Sequence, residues 1–315
     1  MSNEKNHYGN SNPLTKRANP RDPIRIQQRA LEQARGLGVG SDYEPFIQIE
    51  RHGFSSHGRS HVWSDPLNTS IVGHVLSDLE RCVLIHASSL KGAIVRTQYP
   101  MWRVGVEPEF AECVFDGESL DLGTVRVANE LGVKPPRTRG QDIVLTLDLL
   151  LKIPGKGTWA VYVKYCKDVP RPGSRQDQLL QITREYWRLR NVDLLIITEV
   201  EAKDSATMRW LNWASSIRGS YAPGSDEFLL SVVDLLILKT DSHAPMNERI
   251  ACLDVPADRV IHALKYAIWV GYIWVDFQRW DWPCLADPWT IELASRSRKL
   301  ASANCFSFIV AGGES

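Results

Sequence analysis

The stretch IVLTLDLLLKIPGKGTWAVYVKYCK, residues 143–167, constrains the fold more than any other part of the chain. Two apolar runs, rich in Leu, Ile, Val and aromatic residues, flank the turn-forming PGKG. That pattern predicts an antiparallel hairpin. Each run carries a charge in apolar company, Asp148 in the first and Lys164 in the second. A lone carboxylate in such a strand is costly to bury unless it is paired or bound to a cation. The hairpin brings the two strands together, and the strand period places Tyr162 and Lys164 on one face. A buried Asp148–Lys164 pair that neutralises itself accounts for these two residues alone; so does a reactive site.

The surrounding segments supply the rest of a layer. PFIQIE (45–50) alternates apolar with polar and reads as a strand. LSDLERCVLIHASS reads as a helix, GAIVRTQY as a strand, RQDQLLQITREYWRLRN as a helix and VDLLIIT as a buried strand. The region 46–203 is therefore expected to be a mixed α/β domain. Ahead of it, residues 1–45 form a polar arm and a short helix ending at GLGVG, a glycine loop that follows a helix and so is no phosphate cradle. Behind it, 204–315 is mostly helical. Helices are expected over 227–239, 247–252 and 257–269, and a hairpin-like GYIWVDFQRWDWP follows. Three helices and a β-wing are the outline of a winged-helix domain.

Composition excludes some classes. The chain has 37 basic and 37 acidic residues, so net charge argues neither for nor against nucleic acid. From residue 200 onward there are 11 basic against 14 acidic residues, which makes the C-terminal third a poor phosphate-binding surface. The six cysteines are scattered without a C-x-x-C pair, which speaks against a zinc ribbon and fits a reducing, cytoplasmic setting. Neither a signal h-region nor a membrane-length apolar run is visible, so no membrane partner is expected.

Glu80 has two readings. Ser77 and Glu80 stand three apart ahead of an apolar run, the signature of a capping box, which needs no catalysis. Taken with Asp148 and Lys164, however, Glu80 completes a set: a glutamate opening a helix, an aspartate on a later strand, a lysine on the next. Carboxylates in that layout suit oxygen ligation of Mg²⁺, and a nearby lysine suits stabilisation of a phosphoryl transition state.

SDLE (77–80), QYP (98–100), TLD (146–148), VK (163–164) and YWRLRNVDLLIITE (186–199) occur in an order and spacing that resembles the TnsA family, the endonuclease subunits of heteromeric transposases, within the PD-(D/E)xK restriction-endonuclease-like superfamily. The resemblance implies a restriction-endonuclease-like mixed-sheet nuclease followed by a winged-helix domain. It implies Mg²⁺-dependent hydrolysis at the 5′ strands of transposon ends, with Mn²⁺ able to substitute. It carries over Glu80, Asp148 and Lys164 as the catalytic set, with Glu80, Asp148 and the Val163 backbone carbonyl as metal ligands. The implied partners are transposon-end DNA, a DDE-type transposase subunit (TnsB-like) and an ATPase regulator (TnsC-like) docking on the C-terminal domain; the implied place is the bacterial cytoplasm, at the nucleoid when on DNA. Two positions depart from the family pattern. Tyr162 stands where the superfamily has an acid or, in TnsA proteins, a glutamine, and Thr183 stands where an acidic residue is common.

Basic residues flanking this set, Arg137 and Arg139 before the Asp148 strand and Arg184 and Arg188 on one helix face, are candidate DNA contacts. His52, His57 and His61, in a Gly- and Ser-rich loop, read as a solvated loop and not a zinc site. The alternatives to a transposase subunit are a stand-alone restriction or repair nuclease of the same fold, and an interaction subunit whose nuclease site has decayed.

Overall fold

The computed structural model describes residues 22–49, 59–90, 92–103, 123–202, 205–218, 220–276, 279–280, 282–293 and 306. The described residues open with helix α1 (Pro23–Glu32), then a ribbon of β1 (His61–Ser64) and β2 (Val72–Val75), helix α2 (Asp78–Ser88) and strand β3 (Ile94–Met101). Helix α3 (Thr124–Glu130) and the two-residue strands β4 (Arg137–Thr138) and β5 (Gln141–Asp142) lead into β6 (Leu145–Ile153) and β7 (Gly157–Val163). Helix α4 (Arg175–Arg188) and strand β8 (Asp193–Ile197) follow. The order β3-β6-β7-β8 makes a mixed sheet, antiparallel except for the β7–β8 pair. The hairpin expected around PGKG is β6–β7, in register from Ile153↔Gly157 to Leu149↔Val161. Pro100 sits in β3, an edge strand, where its missing N–H leaves no rung unmade.

Each face of the sheet is covered by a helix. Leu79, Val83 and Leu84 of α2 pack on Leu149, Leu151 and Val161. Tyr186 and Trp187 of α4 pack on Leu150, Ala160 and Tyr99. This is the mixed α/β layer that the sequence pattern predicts, and it suits a nuclease-like fold.

One rung breaks the alternation. Gln98 has φ +49, in the left-handed region, and the β3–β6 ladder passes from Thr97↔Leu149 to Tyr99↔Leu147 without a Gln98–Asp148 rung. On one side of the break Val95 packs against the α2 face; on the other, Tyr99 and Met101 pack against the α4 face. In β6, Leu149 and Leu151 lie with α2, whereas Leu147 lies with α4. Strict period-two alternation would keep each of these odd-numbered sets on one face.

Beyond the sheet come α5 (Glu199–Ala202), α6 (Ser205–Ser215), α7 (Asp226–Lys239), α8 (Met246–Ala251) and α9 (Ala257–Trp269). A two-stranded antiparallel ribbon, β9 (Ile273–Val275) with β10 (Ile291–Leu293), follows them. Trp210, Leu236, Leu264 and Trp289 are among the buried side chains of this second core. Helix α2 touches it as well, through Ile85 and through a hydrogen bond from Arg81 Nη2 to Asn212 Oδ1 at 2.9 Å.

Two expectations need correcting. PFIQIE forms no strand over its described residues 45–49. Phe46 is instead a buried anchor whose N–H donates to the Gln98 carbonyl at 3.2 Å, and Ile49 N–H donates to His74 Nδ1 at 2.8 Å. Its apolar residues Phe46 and Ile47 pack in a small cluster with Ala30 of α1, Val144 and Trp102. Among its described residues the segment GYIWVDFQRWDWP does not fold back on itself as a hairpin: β9 pairs with the later strand at 291–293. The polar arm at 1–21 lies outside the described residues.

Candidate functional site

The capping box is present. Ser77, in extended conformation, accepts from Glu80 N–H at 3.1 Å and starts α2. The glutamate reaches back one residue further than usual: Glu80 Oε2 accepts from Leu76 N–H at 2.9 Å, and Oε1 accepts from Ser77 Oγ at 3.1 Å. These bonds fix a carboxylate that is only 6 % exposed. Glu80 Oε2 also receives the Gln98 side-chain amide, Nε2 at 3.2 Å.

Asp148 lies on β6 one step beyond the last β6–β7 rung. There its carboxylate does the work of a strand, with Oδ2 accepting from Val163 N–H at 2.7 Å. Lys164 leaves β7 next, its own N–H bonded to the Ile197 carbonyl of β8 at 3.1 Å. Its Nζ sits 4.8 Å from the centroid of the Tyr162 ring, a cation–π contact that bears out their shared face. The site thus lies where β6 and β7 part and where the β3–β6 ladder loses a rung.

Electrostatics tie the three groups together. Burial, and then the negative charge of Asp148, push the Glu80 carboxyl up to about 7, against the pull of Leu76 N–H, Ser77 and Lys164. Burial raises Asp148 too, opposed by the Lys164 ammonium and the Val163 amide. Burial acts to lower Lys164, but the charge of Asp148, with Tyr162, Glu80 and Asp168 behind it, leaves it raised and protonated. Tyr162 is raised by burial and stays a neutral phenol.

Two carboxylates that resist ionising together, beside one ammonium, form a donor set with room for a further positive charge. Among the described residues no group of three or more His, Cys, Asp or Glu side chains is arranged to hold a metal. A pair of carboxylates is nonetheless what Mg²⁺ commonly takes from a protein, since it keeps waters and substrate oxygens for its other positions. The residues present fit that ion.

The flanking candidates make pairs of their own. Arg137 bonds Asp142 across the small β4–β5 hairpin, and Arg139, at its left-handed tip, pairs with Asp22 at 2.9 Å. Arg188 grips Glu185 with two bonds of 2.6 and 2.7 Å, and Arg184 is exposed. The guanidinium-bearing side chains of Arg137, Arg139 and Arg188 keep more than half of their surface in solvent. The hydrogen bonds of Arg137, Arg139 and Arg188 thus run to Asp142, Asp22 and Glu185 and not to Glu80, Asp148 or Lys164. Thr183 is buried and bonds back to the Leu179 carbonyl at 2.9 Å. His61 pairs with Asp78 at 2.7 Å, and His52 and His57 lie outside the described residues. The residue that sequence reasoning left without a role is Gln98. Its signal was of the same kind as that of Asp148, a polar side chain inside a strand-like run.

No protein-family model matches the chain. It is 26% identical over 196 residues to the Tn7 transposition protein TnsA of Escherichia coli, across 60% of this chain and 62% of that protein. The chain thus spans about three fifths of the length of the curated relative it matches. Among the described residues no helix is long and apolar enough to cross a membrane.

Proposed function

With kinship to a TnsA-like family supported by that match, we propose that the chain is the DNA endonuclease subunit of a heteromeric transposase. In this reading it hydrolyses the 5′ strands at transposon ends, in company with a DDE-type transposase and an ATPase regulator. The observation that carries it is the meeting of Glu80, Asp148 and Lys164 at the parting of β6 and β7, three groups from separate elements that shift one another's ionisation. The same geometry supports the PD-(D/E)xK assignment, and α7–α9 with the β9–β10 ribbon support a winged-helix role for the C-terminal helices, where the ATPase would dock.

Glu80 and Asp148 would hold Mg²⁺, or Mn²⁺ in its place. The Val163 carbonyl is a further oxygen donor, because an extended residue presents its N–H and C=O to the same edge and the Val163 N–H already faces Asp148. The ion supplies Lewis-acid polarisation of the scissile phosphate and a more acidic bound water. The chain's own groups do the rest. Lys164, held protonated, donates to phosphate oxygens as negative charge builds and is no base in its resting state. The Tyr162 ring steadies the direction of that ammonium. Arg137, Arg139, Arg184 and Arg188 have the exposure to meet the DNA backbone, the first two and Arg188 at the cost of weak surface pairs.

The test is reconstitution with the DDE partner and labelled transposon-end DNA. Asp148→Ala and Lys164→Ala are expected to abolish 5′-strand cleavage while 3′-strand cleavage by the partner continues. Persistent 5′ cleavage in Asp148→Ala sinks the catalytic assignment, and a wild-type complex that never cuts 5′ strands favours a decayed interaction subunit.

A further inference from the structure

Gln98 is 1 % exposed, and its backbone is left-handed inside a strand. Only glycine adopts that conformation freely; for other residues it persists where the surroundings impose it. The cost includes a ladder rung, since the Gln98 carbonyl turns to Phe46 N–H and away from β6. What the turn accomplishes is at the side chain. Thr146 Oγ donates to Gln98 Oε1 at 3.3 Å, and Gln98 Nε2 then points at Glu80 Oε2. A carboxylate cannot accept from an amide oxygen, so the amide has one sensible orientation.

The acceptor sites of Glu80 can now be counted. An ionised carboxylate offers about four lone pairs, two on each oxygen. Oε2 accepts two N–H bonds, from Leu76 and from Gln98, and Oε1 accepts one O–H bond, from the Ser77 hydroxyl. The open lone pair is on Oε1. Resting on the nuclease reading of this site, we propose that Gln98 is a positioning residue that saturates Glu80 Oε2 and so presents Oε1 alone to the divalent cation. Without the Gln98 amide, Oε2 keeps only the Leu76 N–H and has an open lone pair of its own, so both oxygens compete for the ion. Partners of this sort around metal ligands are worth on the order of tenfold or more in metal affinity.

Two substitutions separate the side chain from the backbone. Gln98→Gly keeps the left-handed backbone at lower strain and removes the amide. Gln98→Asn tolerates the same backbone but is one methylene too short to reach Glu80. The full-length protein is titrated with Mn²⁺ and bound ion is read by electron paramagnetic resonance, with circular dichroism as the check on folding. Both variants are expected to bind Mn²⁺ about tenfold more weakly than the parent. A folded variant that binds as tightly as the parent overturns the role of Gln98. Asp148→Asn separates the two levels of inference: if it binds Mn²⁺ like the parent, the ion sits elsewhere and the underlying site assignment fails, whatever Gln98 does. A crystal of the parent soaked in Mn²⁺ needs no variant. The anomalous peak is expected against Oε1, and a peak against Oε2 refutes the proposal.

Discussion

The sheet and the C-terminal helices bury different chemistry. Around the sheet, Glu80, Arg96, Thr97, Gln98, Thr183 and Arg190 are all buried polar or charged side chains. From α6 onward the buried polar residues among those described are Thr207 and Arg249, and tryptophans fill the space instead. Trp210 meets Trp289 edge to face at 4.7 Å and Trp213 at 6.0 Å. The helical core is built for packing. The sheet gives up packing and regular pairing near one rung in order to hold charges in place, as functional sites commonly do.

The largest break in this contrast comes from the packing side. Trp210→Ala removes a fully buried indole and is expected to cost about 3–5 kcal/mol, read as a fall in the denaturant midpoint. On the sheet side a substitution should act in the opposite direction. Folded Glu80 keeps its proton up to about pH 7, whereas the unfolded chain releases it near 4.5. The metal-free native state therefore binds more protons in that interval, and stability falls as pH rises from 4.5 to 7. The loss amounts to about 3 kcal/mol. Glu80→Gln cannot ionise, so without metal it should gain on the wild type across this window, and the gain should vanish below it. Urea denaturation in EDTA at pH 4 and pH 8 checks the difference; equal gains at both values refute the ionisation argument. The smallest effect is expected where neither kind of burial operates. Arg188→Ala breaks a well-formed but exposed pair with Glu185 and should leave the denaturant midpoint essentially where it is, while weakening DNA binding in the complex if that face meets the backbone.

The sheet was legible because its signals are local. The β6–β7 hairpin follows from two apolar runs and PGKG, and α2 begins where Ser77 and Glu80 announce a cap. Asp148 and Lys164 stood out as single charges in apolar company, and the structure places them in one electrostatic cluster with Glu80. Three-dimensional facts stayed hidden. The left-handed turn at Gln98 has no local signature, since glutamine has no preference for that region, and it is Glu80, Thr146 and Phe46 that hold it there. The partner of β9 lay well downstream, and a strand of three residues carries too little pattern to name its mate. The basic residues were visible as charges, but their engagement with Asp22, Asp142 and Glu185 was not.

Helix α2 lies between the two cores. Leu79 and Val83 belong to one, Ile85 to the other, and Cys82 touches both, as does Trp63 beside it. Neither core can melt without stripping a wall from the helix that bears Glu80. The free energy that holds the tryptophans together is in that sense also the stiffness of that carboxylate, and heat should undo both in a single transition.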